Sequence, residues 1–195
     1  SGKSSLIRLL AGFIRPAAGT VRWQGADVAE APDAHAARLH YLAPYNAVKP
    51  ALTVAENLTT WANLRGAGEG HVETALATFG LADLADVPGR LLSTGQARRL
   101  ALARLVATPA PLWLLDEPAV ALDADGCATL ARVIGDHRAR GGNVEHEPDT
   151  GRGGHVEPGF GPRPCRPAFG DRGDRHFARG GRYLRPRQVR EHFDG

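Results

Sequence analysis

Two adjacent acids, Asp116 and Glu117, stand at the end of a short apolar run, Leu112-Trp113-Leu114-Leu115. Carboxylates in that position have two uses. Asp116 can hold Mg²⁺, directly or through water, and Glu117 can polarise an attacking water. Taken alone, they would read as loop acids facing solvent. They do not stand alone, because the chain opens with Ser1-Gly2-Lys3-Ser4-Ser5, the second half of the phosphate-loop pattern G-x-x-x-x-G-K-[ST]. In that pattern Gly2 lets the backbone approach a phosphate, Lys3 reaches the terminal phosphates and the Ser4 hydroxyl coordinates Mg²⁺. A third stretch, Leu92-Ser93-Thr94-Gly95-Gln96, is a polar, Gly-containing turn just ahead of a helical pattern. A fourth, Ala121-Leu122-Asp123, follows the proline turn after the acids.

Each group needs an element to hold it. Leu6, Ile7, Leu9 and Leu10 predict a helix after Lys3, stopped at Gly12, whose first N–H groups would face phosphate. Ser93 with Gln96 three residues later predicts a capping box, opening a helix that runs to Val106 and stops before Pro109. That N-terminus is a second anion site. The apolar run 112–115 has the length of a strand. A continuous apolar run predicts burial on both faces, as in a parallel sheet, with Asp116 and Glu117 at the carboxyl end where such sheets bind ligands.

Between the phosphate loop and the acids the pattern alternates. Thr20–Trp23 reads as a strand, 27–37 as an Ala-rich segment with Pro32 at a helix start, and His40-Tyr41-Leu42 as a second strand closed by Pro44. Thr53 and Glu56 form another capping-box pair. The helix they open carries Leu58 and Trp61 and ends at Gly66. Val72, Ala75, Leu76 and Phe79 mark a second helix, ended by Gly80, and Leu81–Leu84 a short third. Trp61 and Phe79 are expected in the core of this helical block. Beyond Asp123 a helix over 124–140 places Leu130, Val133 and Ile134 on one face, with His137 expected in solvent.

At 195 residues and a net charge of +3, the chain suits one domain of ordinary size, and its balance argues against nucleic acid as a partner. Cys127 and Cys165 lack metal-ligand spacing. There is no methionine, so the chain reads as an internal fragment, truncated at its N-terminus. The character changes after Gly142. Residues 143–195 are rich in Gly, Pro and Arg, and show neither strand nor helix period. They are expected to be a disordered tail, or a stretch translated out of frame. Ala178-Arg179-Gly180-Gly181-Arg182 leaves open a weak RNA-binding reading of that tail.

Together these motifs resemble the ATP-binding subunit of an ABC transporter. Gly2-Lys3-Ser4-Ser5 is similar to the end of its Walker A loop, and Leu92–Gln96 to its signature, with Thr94 where glycine is usual. Leu112–Asp116 is similar to Walker B, Glu117 falls at the catalytic glutamate, and Ala121–Asp123 resembles the D-loop. Tyr45 or Asn46 stands at the place of the Q-loop glutamine, and the histidine expected after a further strand falls near Asp149. Within the family, the stretches from Leu92 to Leu105 and from Lys49 to Leu58 look most like the haem-exporter ATPases of bacterial cytochrome c maturation.

The resemblance implies an α/β fold, a P-loop NTPase (ABC ATPase) core over 1–142 with a helical subdomain at about 50–105, followed by an irregular tail over 143–195. It implies ATP and Mg²⁺ as cofactors. ATP would be held by Ser1, Gly2, Lys3, Ser4 and Ser5, and across a homodimer by Ser93, Gly95, Gln96 and Asp123. Mg²⁺ would be held by Ser4 and Asp116, with Glu117 catalytic. Membrane permease subunits would dock near Tyr45 and the helical block, at the cytoplasmic face of a bacterial inner membrane. The expected function is ATP-driven haem export or delivery. The alternatives are the ATPase of another transporter, or a truncated or frameshifted product without turnover; hydrolysis by this fragment is expected to be poor.

Overall fold

A computed structural model describes residues 2–68 and 70–146. The element order is α1 (Lys3–Leu10), β1 (Arg22–Trp23), β2 (Ala26–Asp27), α2 (Pro32–Ala37), β3 (Leu39–Leu42), α3 (Val54–Leu64), α4 (Gly70–Thr78), α5 (Thr94–Ala107), β4 (Leu112–Leu115), α6 (Ala124–Ala139) and β5 (Asn143–His146), with 3₁₀ turns at Ala82–Leu84 and Gly89–Leu91.

The apolar run is the central strand. β4 pairs in parallel with β3 on one side and β5 on the other, Leu112 lying opposite both Leu39 and Asn143. All four residues of β4 are buried. They divide by the two-residue period of a strand. Leu112 and Leu114 pack with Ile7 of α1, with Ala11 just after it and with Leu39. Trp113 and Leu115 face the larger cluster, with Leu58 of α3, Leu76 of α4, Leu102 of α5 and Leu130, Val133 and Ile134 of α6. Helices cover both faces of this parallel sheet, which is why β4 carries no polar position before Asp116.

The helix ends follow local chemistry. Thr53 caps α3 and Ser93 caps α5, each in a complete capping box with Glu56 or Gln96. Pro32 sits in the first turn of α2. Gly12, Gly66 and Gly80, close behind α1, α3 and α4, take positive φ of 78°, 66° and 63°. L-residues rarely adopt that conformation, so these sites suit helix-ending glycine.

Four expectations need correction. The strand expected over Thr20–Trp23 is only Arg22–Trp23, because it is half of a hairpin whose other half is Ala26–Asp27. Gln24 and Gly25 both take positive φ, as a tight two-residue hairpin turn requires. Trp61 is half-buried, with the Arg104 guanidinium 4.7 Å above its ring, whereas Phe79 is buried as expected. His137 is buried, not exposed: its ring stacks on Trp113 with centroids 3.7 Å apart and planes within 8°. Residues 143–146, which composition groups with the tail, form β5. The rest of that tail, with Asp149, Cys165 and the 178–182 stretch, lies outside the described residues.

Candidate nucleotide site

The acids and the phosphate loop meet. The Ser4 hydroxyl donates to Asp116 Oδ1 at 3.2 Å, across 112 positions of chain. α1 brings Ser4 there by seating Ile7, together with Ala11 just past its end, on the β4 face that carries Leu112 and Leu114. Gly2, the residue before α1, and Ser5 are exposed beside it. Lys3 is the first residue of α1. Ser1 and the side chain of Lys3 lie outside the described set.

Asp116 is 1% exposed, and its second oxygen, Oδ2, is buried without a hydrogen-bond partner. A desolvated carboxylate oxygen left so is costly unless something else occupies it. A hydroxyl and a carboxylate side by side are hard oxygen donors of the kind Mg²⁺ takes. Among the described residues no group of three or more His, Cys, Asp or Glu could hold a metal ion. Mg²⁺ is commonly bound by one or two carboxylates together with phosphate oxygens and water rather than by a protein cage. The residues therefore fit Mg²⁺ accompanied by a phosphorylated ligand.

Glu117 follows with φ 48°, a left-handed conformation unusual for a side chain this size. Its carboxylate is exposed while its backbone is held from beneath by Arg98 of α5. The Arg98 guanidinium also donates to the carbonyls of Pro118 at 3.1 Å and Ala43 at 3.0 Å, and to Asn46 Oδ1 at 3.2 Å. Burial pulls the Arg98 pKa below its usual value, while Glu117 and Asp116 act the other way. Asn46, one of the two residues expected at the place of the Q-loop glutamine, thus has its side-chain oxygen on Arg98. Tyr45 beside it is 86% exposed.

The signature turn is exposed at Ser93 and Thr94 and half-buried at Gly95 and Gln96. Ser93 Oγ accepts from the Gln96 N–H at 3.2 Å, and Gln96 Oε1 accepts from the Ser93 N–H at 2.8 Å. This leaves the Ser93 hydroxyl proton and the Gln96 amide N–H groups free of the cap's own bonds. Gly95 lies close under the D-loop: a Cβ there would stand 3.1 Å from the Ala121 carbonyl. Asp123 caps α6 through Oδ1, which accepts from the Gly126 N–H at 2.8 Å, and its Oδ2 is 3.8 Å from Arg99. Its side chain is thus engaged in positioning α6, a role beyond the nucleotide contact expected of it.

Arg98 and His137 escaped the sequence reading, although both carried a signal. Arg98 stands four and seven residues before the buried Leu102 and Leu105, and His137 stands four and seven after the buried Val133 and Leu130. A polar residue in line with an apolar stripe belongs to the core face of its helix.

Comparison with known proteins gives the family. Residues 1–120 match the ABC transporter family. The chain is 57% identical over 144 residues to the cytochrome c biogenesis ATP-binding export protein CcmA of Rhodospirillum rubrum, covering 74% of this chain and 62% of that one. It is 56% identical over 149 residues to the protein of the same name from Paramagnetospirillum magneticum, covering 74% of this chain and 68% of the relative. The chain therefore spans less than two thirds of the first relative's length. The fold also resembles the ATP-binding cassette MJ0796, solved as a dimer in a post-hydrolysis state bound to ADP and Pi. That match has a TM-score of 0.66 at 21% identity, over 74% of this chain and 68% of the other. With a family model matched over residues 1–120, relatives more than half identical and helices on both faces of a parallel sheet, the chain belongs to the ABC transporter family and carries the fold of its ATP-binding domains.

Proposed function

We propose that the chain is the ATP-binding subunit of a transporter for cytochrome c biogenesis, coupling ATP hydrolysis to haem export or delivery. The observation that carries the nucleotide part is the Ser4–Asp116 pair beside an unpartnered, buried Asp116 Oδ2. The biological part rests on the likeness to the two CcmA proteins.

In this reading Gly2, Lys3, Ser4 and Ser5 cradle the β- and γ-phosphates at the N-terminus of α1. Mg²⁺, when bound, neutralises charge on the phosphate oxygens. Ser4 and Asp116 hold it, and Glu117, at the exposed tip of its turn, orients water for in-line attack. Ser93, Gly95 and Gln96 present the positive end of α5 outward, to the γ-phosphate bound by a second copy of the chain, and Asp123 lies beside that contact. Two subunits would therefore close around two nucleotides. No helix among the described residues is long and apolar enough to cross a membrane. Association with the membrane would go through permease subunits, docked near Tyr45 and the α3–α4 block, at the cytoplasmic face.

The test is Mg·ATP binding and turnover by the full chain, with Lys3→Ala and Glu117→Gln as probes. Binding lost in Lys3→Ala, with turnover lost in Glu117→Gln, supports the whole reading. Binding without turnover keeps the nucleotide site and removes hydrolysis. Binding indifferent to Lys3→Ala overturns it.

A further inference from the structure

Arg98 is the largest fully buried side chain among the described residues, 1% exposed, although arginine is among the residues least often buried. Its donors go to carbonyl oxygens on two separate turns. One is the turn after β4, at Glu117 and Pro118; the other is the turn after β3, at Ala43 and Asn46. Both turns lie at the carboxyl ends of neighbouring parallel strands, where the Ser4–Asp116 pair sits. Arg98 itself belongs to the second turn of α5, whose first residues are the signature.

A guanidinium is suited to this arrangement. It is planar, keeps its charge, and presents five donors in a fixed fork, so one side chain can hold several carbonyls at set angles. The backbone it holds needs holding. Glu117 sits at φ 48°, a conformation that strains a non-glycine residue and persists only where its surroundings impose it. Asn46 is held by its side-chain oxygen, so the Asn46 side chain and the Glu117 backbone share one anchor.

We propose that Arg98 is a positioning residue: it imposes the Glu117 turn and ties it to Asn46 and to the signature helix, so that the three move together. Arg98 touches no reacting atom and acts through Glu117 and Asn46. This rests on the reading of Glu117 as the residue that orients water. An ordinary buried structural arginine would instead support the domain as a whole, and the two roles separate experimentally.

The experiment is amide hydrogen exchange on the full chain, comparing parent with Arg98→Met, which keeps the stem but not the fork, and with Arg98→Lys, which keeps charge without the fork. Exchange at 43–47 and 116–120 is expected to rise about tenfold or more in both variants, while 54–64 and 130–137 stay within about twofold. In the same preparations kcat should fall at least about tenfold with KM for ATP nearly unchanged, as for a group whose effect is felt in the transition state. A uniform rise across all four segments overturns the proposal, and so does unchanged exchange at 116–120. Should Arg98→Met not fold, Arg98→Lys decides by the same pattern. A parent chain without turnover removes the hydrolysis reading, whereas the exchange pattern still decides whether Arg98 imposes the turn.

Discussion

Replacing Asp116 by Asn separates the metal from the fold. The parent carboxylate gives Oδ1 to the Ser4 hydroxyl at 3.2 Å and leaves Oδ2 buried and unpartnered. Asparagine has the same shape, still accepts from Ser4, and removes the buried charge. It also brings amide donors that are unpaired in the same place. An unsatisfied buried group costs roughly 1–3 kcal/mol, so exchanging one for another should leave ligand-free stability within about 1 kcal/mol of the parent. For a domain of this size that is a shift of about 2–4 °C in either direction. The response to ligand should differ far more. Mg·ATP at about a hundredfold above its Kd stabilises a folded protein by about 2.7 kcal/mol, or roughly 5–11 °C here. In Asp116→Asn the part of that gain that requires Mg²⁺ should vanish. The assay is thermal unfolding of both proteins without nucleotide, with ATP and EDTA, and with ATP and Mg²⁺. If Asp116→Asn keeps the full Mg²⁺-dependent increment, Asp116 does not hold the ion. If it loses many degrees without ligand, the unpartnered oxygen is not the state of the folded protein.

Acid should destabilise the chain through His40. Burial lowers its pKa from 6.5 to about 4, against the opposing hydrogen bond to the Thr108 carbonyl. The unfolded chain binds that proton below pH 6.5 and the folded chain does not, so the stability of neutral His40 is full above that pH and declines from there to about pH 4. The loss is roughly 2 kcal/mol by pH 5 and about 3 kcal/mol once both states are protonated. His137, whose pKa is also lowered by burial, acts in the same direction. Urea unfolding at pH 7 and pH 5 checks this, and His40→Gln should flatten the difference. The two capping boxes give a matched pair: Thr53→Ala and Ser93→Ala should each lower stability by about 1 kcal/mol. Only Ser93→Ala should also reduce ATP-driven dimerisation, read by light scattering with Glu117→Gln as background.

What could be read from the sequence was what is local. A capping box is complete within four residues, so Ser93–Gln96 and Thr53–Glu56 were plain, and so was β4, whose apolar run needs no partner to be recognised. The phosphate loop and the Walker B acids could be paired in order, although their contact spans 112 positions. Contacts that depend on a third element were hidden. Arg98 bonds to residues 19, 20, 52 and 55 positions away, and nothing beside it in the chain announces them. His137 looked solvated because Arg138 and Arg140 flank it; its stacking partner is on another element. Trp61 drew attention as a large apolar ring, but its upper face belongs to Arg104. β5 went unseen because Asn143-Val144-Glu145-His146 has one aliphatic residue in four, and only pairing with β4 makes it a strand.

The His137 ring has a consequence at the far end of the sheet. A methyl group at Gly142 would fall 2.1 Å from its Nε2, inside the ring's own van der Waals surface. Any side chain at 142 must therefore evict the imidazole or lift the backbone that leads into β5. The imidazole lies flat on Trp113, and Trp113 belongs to the same four-residue strand that ends at Asp116. A substitution at Gly142 is thus a wedge driven between α6 and the central strand. In a mutational map, loss of nucleotide binding traced to Gly142 would mark a mechanical path along β4, not a ligand contact.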